Sequence, residues 1–440
     1  MVRGQAFGLS ATARLALVQR LARRREGQEA QAATDPRGFG SIQNLKDWGL
    51  VRDAMDALGI ESPFFRTHEG RAGAHTEIAG KDLINFGSYD YIGLNGDPRL
   101  HQAAMAAMTR YGISASASRL VSGERPVHAA FEQALAAHYG AEAALAFVSG
   151  HATNVTLIGH LMGPRDLIVH DAAIHNSAVE GAKLSGARRV PFAHNDVTAA
   201  ERELKAARRG AQRALIVVEG HYSMDGDVPD LAGFIRLARK HDAWLMVDDA
   251  HGLGVVGATG KGAFEAADVD PSEVDIWMGT LSKTLCACGG YVAAKAELVD
   301  WLRHTAPGFV YSVGLPPALA ASAHAALDIL HAEPWRVTKL QANARRLRDL
   351  CRARGFDTGH SAGLGIVPVV LGSSVRAVRV SAALMERGVN ALPITFPAVP
   401  EQAARLRFFM SAEHSEADIL AAVDALAAAA DSVPTGDGAG

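Results

Sequence analysis

The sequence predicts an α/β protein with a large domain built on a mostly parallel sheet sandwiched by helices, plus a smaller C-terminal α+β domain. Three observations carry this expectation. From Pro98 onward, short apolar runs alternate with helical stretches, the pattern of units that place helices on both faces of a parallel sheet. Two of the apolar runs, Ala243–Asp248 and Val274–Met278, lead into the chemically loaded clusters Asp248-Asp-Ala-His251 and Gly279-Thr-Leu-Ser-Lys283. Ligands in open α/β sheets gather at such strand carboxyl ends. The chain of 440 residues also exceeds what one hydrophobic core usually serves.

Taken in order, residues 1–44 form a basic arm: Leu15, Leu17, Val18 and Leu21 stand among Arg14, Arg20, Arg23, Arg24 and Arg25, before a break at Gly38-Phe-Gly40. The segment 45–97 opens with an amphipathic helix whose apolar positions are Leu45, Trp48, Val51, Met55 and Leu58. It then turns at Ser62-Pro63 and continues through a short strand, Leu83–Phe86, into an aromatic and glycine-rich loop with Tyr89 and Tyr91. The large domain spans 98–325, with helices at 101–110 and 127–139 and strands at 143–148, 167–171, 215–219, 243–248, 274–278 and 289–294. A long alanine-rich helical region from Ala318 past Arg352 leads into the small domain, 326–433, with strands near 366–370 and 407–410. Residues 434–440 form a Gly- and Asp-rich tail expected to be disordered.

Composition excludes several function classes. Apolar residues make up 48% and charged residues 21%, with a formal net charge of -3, ordinary for a soluble globular protein and unsuited to general nucleic-acid binding. No apolar run is long enough to cross a bilayer, and no secretory h-region is present. Cys286, Cys288 and Cys351 have neither redox nor zinc-ribbon spacing; they read as free thiols of a cytoplasmic protein, and no metal site is expected. The run Gly254–Gly262 is glycine-rich but lacks the Lys-Ser/Thr order of a phosphate-binding P-loop.

The chemistry is concentrated at strand ends. Lys283 is either a surface residue after a turn or an amine lowered in pKa for covalent work. Asp248 alone reads as a helix N-cap and His251 as a loop histidine. With Lys283 they suit pyridoxal phosphate (PLP), for which a lysine forms a Schiff base and an aspartate keeps the ring nitrogen protonated. Ser149-Gly150-His151 ends a strand and opens a helix, so free backbone N–H groups there can hold a phosphate.

These segments occur in order with Asn85–Leu94, Ser122-Gly123, Ser149–Asn154, Glu219–Asp227, Tyr311–Pro317, Arg405–Arg407 and Ser411–His414. Over roughly Ile60 to Val423 the chain resembles the α-oxoamine synthases, fold-type I PLP enzymes that include serine palmitoyltransferase and 8-amino-7-oxononanoate synthase; polyketide-associated members look closest. The resemblance implies that Lys283 carries the cofactor and shuttles the proton at the substrate Cα. It places Asp248 at the ring nitrogen, His251 at the phenolic oxygen, His175 on the ring face, and Ser223 nearby. Thr280 and the backbone of Gly150 and His151 would hold the phosphate, with the His151 ring taking an edge or phosphate-side position. Arg407, with Arg405 in reserve, would grip the substrate carboxylate. Ser312 lies in a loop that belongs to the neighbouring subunit's site in relatives, implying a homodimer.

The implied reaction is a decarboxylative Claisen-type condensation of an amino acid with an acyl thioester, giving an α-aminoketone, CO2 and free thiol. Where Tyr89 stands the family usually has asparagine; the palmitoyltransferase branch has a Ser-Tyr pair, which points to long-chain or polyketide-like donors. That branch also carries an arginine in the segment matching 390–396, absent here, which argues against a plain sphingolipid role and leaves acyl-carrier protein beside coenzyme A as donor. A fold-type I aminotransferase or aldolase would share Lys283 and Asp248. A non-catalytic partner subunit would lack the lysine.

Overall fold

The computed structural model describes residues 61–434 continuously, together with Gly38, Phe39, Ile42, Leu45, Gly49, Arg52 and Asp53. Apart from those isolated positions, the basic arm of 1–44 and the helix expected over 45–58 lie outside the described residues, as does 435–440. The chain enters through an antiparallel hairpin, β1 (His75–Ile78) and β2 (Lys81–Asn85). Its two-residue turn, Ala79-Gly80, has positive φ at both positions, 53° and 71°, matching the twist of the strands it joins.

Seven strands form the central sheet: β3 (Ala143–Phe147), β4 (Leu167–Asp171), β5 (Arg188–Phe192), β6 (Ala214–Glu219), β7 (Trp244–Asp248), β8 (Ile276–Thr280) and β9 (Gly290–Ala294). Their order is β3-β9-β8-β7-β6-β4-β5. Only β9 runs antiparallel to its neighbours. The carboxyl ends of β4, β6, β7 and β8 therefore share one edge, joined there by β3. Alternate residues of each strand feed opposite faces. Leu215, Val217, Met246, Ile276 and Met278 enter one apolar cluster, and Ile216, Val218, Leu245, Val247 and Trp277 the other. Covering helices on both faces explain why these strands read as unbroken apolar runs. The edge strand β5, with three exposed residues of five, lacks that signature and is absent from the sequence reading.

The first helix of the large domain, Pro98–Tyr111, is capped by Asp97, whose side chain accepts from the Arg99 N–H, with proline in the first turn. The serine-rich stretch that follows contains a single wide π-helical turn, Arg119–Gly123. A Cβ on Gly123 would lie 2.1 Å from the Ala117 carbonyl oxygen. Arg119, 5% exposed, is held by Glu124 and Glu132, and Glu132 also accepts from the Ala146 N–H at 2.8 Å. This pins the end of β3, from which Ser149 and Gly150 project.

The expected long helical region is two helices, Pro317–Ala332 and Trp335–Ala353, separated at Glu333-Pro334 because proline has no N–H to continue the first. A lobe boundary after residue 325 would fall inside the first of them. Beyond lie β10 (Ile366–Val370), β11 (Val389–Asn390), β12 (Leu392–Ile394) and β13 (Arg405–Phe409). β10, β13 and β12 form an antiparallel sheet in that order. β11 instead pairs in parallel with β2, and the buried Asn390 side chain donates to Asn85 Oδ1 at 2.9 Å. The 75–85 hairpin is thus part of the C-terminal sheet structure. Among the described residues no helix is long and apolar enough to cross a membrane.

Among the described residues Trp277 is the largest fully buried side chain; it stacks on Tyr139 at 5.0 Å between ring centroids and donates its indole N–H to the Pro271 carbonyl. Trp277→Ala should destabilise the protein by roughly 3–5 kcal/mol in chemical denaturation; a loss below about 1 kcal/mol would contradict this packing.

Candidate active site

β7 delivers Asp248, 6% exposed, to the shared strand edge. Its Oδ2 accepts from Asn154 Nδ2 at 2.7 Å and its Oδ1 from the Ala250 N–H at 3.1 Å. Asn154 Nδ2 also donates to Ser177 Oγ at 2.9 Å. The Ser177 hydroxyl in turn donates to His175 Nδ1 at 2.7 Å, which also accepts from the Ser177 N–H. Nδ1 is therefore the acceptor, and the proton of the neutral His175 ring sits on Nε2. Burial holds this imidazole below its usual pKa against the opposing charge of Asp248, with Lys283 acting in the same sense as burial. One chain of hydrogen bonds thus joins Asp248, the Gly150–Leu161 helix and the loop after β4.

The neighbouring Asp249 does something else. It is fully buried on the other side of the strand end, accepts from Tyr139 Oη at 3.2 Å, and is enclosed by Gly220, Gly252 and Gly262. A Cβ at any of these glycines would lie about 2 Å from its carboxyl oxygens. Of the two adjacent aspartates, Asp248 is the one beside Lys283.

Lys283 follows β8 and is half-buried, with Nζ 5.9 Å from the centroid of the Tyr89 ring. Desolvation lowers its pKa to about 8, with Arg407 acting in the same sense and Asp248 and Glu219 opposing. Glu219 ends β6 directly beside Asp248 in the sheet register. Its Oε2 accepts from the Ser223 N–H at 3.0 Å, while Oε1 is buried without a partner. Burial, then the Asp248 charge, raises Glu219 to about 8, so near neutral pH it retains its proton.

His251 Nδ1 is hydrogen-bonded to Tyr91 Oη at 2.7 Å. Its ring lies parallel to Phe409 at 6.3 Å and edge-on to Tyr89 at 6.0 Å, and burial keeps it neutral. The Tyr91 bond orients the ring and leaves Nε2 without a partner among the described residues.

The two arginines of β13 separate cleanly. Arg405 is committed: Nη1 pairs with Asp225 at 2.5 Å, and Nε donates to Ala403 O. Arg407 Nη1 donates to Ser223 O at 2.8 Å, its guanidinium lies 4.6 Å from the Phe409 ring centroid, and its Nε is buried without a partner. Arg407 retains N–H groups for a carboxylate. Arg405 is already paired with one, that of Asp225.

Thr280 Oγ1 donates to Gly289 O at 3.0 Å and contacts Ser282 Oγ at 2.7 Å. A Cβ on Gly150 would sit 2.6 Å from that Thr280 oxygen, so only glycine opens the helix this close to β8. His151 is exposed and edge-on to His175 at 6.5 Å. Ser223 joins the cluster through its backbone, as described. Ser312 does not join it: half-buried beside Phe147 and Val148, its hydroxyl donates to Val313 O. A cavity of about 580 Å3 lined by His138, Lys261, Glu265 and His331 contains none of these residues.

The donor set fits PLP. Asp248 offers a carboxylate to a ring nitrogen, Lys283 an amine to an aldehyde, and the first amides of the Gly150–Leu161 helix lack intrahelical acceptors and suit a phosphate. Sequence reasoning assigned no role to Asn154, Ser177, Glu219 or Phe409, and placed Tyr91 only in an aromatic loop that could line a pocket. Glu219 carried a signal, as a carboxyl closing a six-residue buried strand; Asn154 lay one helical turn beyond Gly150.

Because the Asp248 charge favours the lysinium, Asp248→Asn should lower the titration midpoint of Lys283 below about 8, by about one pH unit. The check is the pH dependence of Lys283 acylation in cofactor-free protein, read by peptide mass spectrometry; an unchanged or raised midpoint would contradict the geometry.

A family model described as aminotransferase class I and II matches residues 81–426. The 8-amino-7-oxononanoate synthase of Geobacter sulfurreducens is 41% identical over 390 residues, covering 88% of this chain and 96% of that protein. That of Methylobacterium sp. (strain 4-46) is 43% identical over 373 residues, covering 84% and 93%. Among solved structures, Sphingomonas wittichii serine palmitoyltransferase superposes with a TM-score of 0.84 at 31% identity, covering 90% of this chain and 100% of that one. A serine palmitoyltransferase from S. paucimobilis, solved with bound PLP and myriocin, gives 0.85 at 29% identity, covering 89% and 98%. With the strand-end lysine and aspartate in place, the chain belongs to the aminotransferase class I and II family and, within it, to the PLP-dependent α-oxoamine synthases.

Proposed function

We propose that the cleft between the central sheet and β13 joins an α-amino acid to an acyl thioester, with loss of CO2 and free thiol, to give an α-aminoketone. The observation that carries this reading is Lys283 beside Asp248 at adjacent strand ends, facing an Arg407 with uncommitted N–H groups. PLP, when bound, supplies the electron sink that stabilises negative charge at the amino-acid Cα.

The chain's residues do the rest. Asp248, fixed by Asn154, would present its carboxylate to the ring nitrogen of a bound cofactor. His175 would pack its ring against the cofactor face, and His251 Nε2, aimed by Tyr91, would serve the phenolic oxygen. The Gly150 and His151 amides would hold the phosphate, with the Thr280 hydroxyl beside them. Arg407 takes the substrate carboxylate. Lys283, with a pKa near 8, accepts and returns the proton at Cα close to neutral pH, where a general base works best. Tyr89, exposed beside Lys283 and packed edge-on against Phe409 at 4.6 Å, lines the side from which a long or polyketide-like acyl chain enters, delivered by coenzyme A or acyl-carrier protein.

The active unit we infer is a homodimer. Ile113, Val121, Tyr311 and Val313 are 78%, 80%, 87% and 50% exposed, and their loops are pinned together by Ser118 Oγ to Val310 O and by the Gly314 N–H to Ala117 O. An apolar patch this exposed suits a partner, and a second copy would carry Ser312 toward the neighbouring site. Three free cysteines support a reducing compartment, the cytoplasm.

Incubating the PLP-loaded enzyme with a panel of amino acids and acyl thioesters should yield CO2, free thiol and an α-aminoketone by mass spectrometry. Keto-acid exchange without thiol release would overturn the assignment. Lys283→Ala should lower kcat by roughly 1,000-fold or more. Arg407→Ala should raise the amino-acid KM about tenfold or more, the loss of a charged hydrogen bond. Val121→Asp should shift the particle in light scattering from dimer to monomer; a wild-type monomer would contradict the shared-site reading.

A further inference from the structure

Beyond the strands that carry Lys283 and Asp248, three loops at the same sheet edge converge on one imidazole, His194, just after β5. Its Nδ1 lies 2.9 Å from Asp171 Oδ1 and its Nε2 3.1 Å from Asp227 Oδ2. A carboxylate only accepts, and a neutral imidazole has one N–H. A neutral ring would set a bare lone pair against one of the two oxygens, so the arrangement demands N–H groups on both nitrogens.

The surroundings reinforce this. Asp171 is fully buried and Asp227 is 9% exposed. Tyr222 packs edge-on to the His194 ring at 4.4 Å and donates its hydroxyl to Asp171 Oδ2 at 2.8 Å. The Ala173 and Asn195 N–H groups also donate to Asp171, each at 2.7 Å, and Asn195 Nδ2 reaches Asp227 Oδ2 at 3.3 Å. His221, bonded to the Asp227 carbonyl, is held neutral by burial. Burial opposes a charge on His194 too, but the two carboxylates outweigh it and raise its pKa to about 10.

Both anchored loops carry residues of the cleft. Asp171 closes β4, four positions before His175. Asp227 closes the turn that presents Ser223 O to Arg407 and the Ser223 N–H to Glu219. We propose that His194, as an imidazolium clamping Asp171 to Asp227, is a positioning residue that sets the spacing between the His175 loop and the Ser223–Arg407 contact, and so tunes capture of the amino-acid carboxylate. This rests on the roles of His175 and Arg407 given above.

The test uses full-length wild type, His194→Gln and Asp227→Asn. PLP uptake, followed by visible absorbance, should stay within about twofold of wild type in both variants. The amino-acid dissociation constant, read from the spectral change without acyl donor, should rise about tenfold in His194→Gln at pH 8, the loss of charged hydrogen bonds. Because His194 carries its charge below its raised pKa and loses it as pH climbs through about 10, wild-type affinity should fall there. With one carboxylate removed in Asp227→Asn, the fall should begin about one pH unit lower. Affinity within twofold of wild type in His194→Gln, or the same alkaline limb in Asp227→Asn, overturns the proposal. So does an equal loss of PLP uptake and amino-acid affinity, the mark of a purely structural residue.

A cofactor-independent arm separates this inference from the functional reading. In PLP-free wild type, two downfield imidazole N–H proton signals should disappear together in His194→Gln. A single signal overturns the clamp. Failure of wild type to take up PLP overturns the functional reading instead and leaves the clamp to the N–H signals.

Discussion

Placing an amine beside two carboxyl groups at the ends of adjacent parallel strands is the constraint around which this molecule is arranged. β6, β7 and β8 bring Glu219, Asp248 and Lys283 to one edge of the sheet. Not all three can carry full charge in so dry a place. Desolvation settles the matter unevenly: Glu219 keeps its proton to about pH 8, and Lys283 loses its own near the same value. The result is an amine available near neutral pH beside a carboxylate, Asp248, that is held by Asn154.

The rest of the fold serves that edge. The parallel sheet is buried on both faces, so its strand ends are rigid supports, and Trp277, one position before the β8 residue Met278, is locked by Tyr139 and Pro271. Glycines appear where atoms approach too closely for a side chain, at Gly150 against Thr280 and around Asp249. The C-terminal sheet contributes Arg407 from β13, steadied by Phe409, which also packs against Tyr89 and His251. One aromatic side chain thereby couples Arg407 to the loop that carries Tyr89.

Much of this could be read from the amino acids alone, and what escaped did so for physical reasons. The buried strands β6, β7 and β8 announce themselves as apolar runs because both faces are covered. Edge strand β5 and the two-residue β11 do not, since exposed or very short strands carry no periodic signal. Lys283, Asp248 and His251 stood out because charged residues directly after such runs are unusual. Asn154 and Tyr91 orient Asp248 and His251, partners distant in sequence that spacing could not reveal; Ser177 lies two residues after His175, but its link to Asn154 spans 23 residues. The choice between Arg405 and Arg407 needed the coordinates, since only there does Asp225 claim the first. Ser312 stands apart from Lys283 within one chain, its hydroxyl donating to Val313 O.

The central claim is that Lys283, and no other lysine, is the amine that joins the cofactor. Borohydride reduction of the PLP-loaded protein, followed by proteolysis and mass spectrometry, tests it most directly. The account predicts the pyridoxyl mass on the peptide containing Lys283, and its loss in Lys283→Ala. Modification of a different lysine, or no stable modification of the wild-type protein, would contradict it.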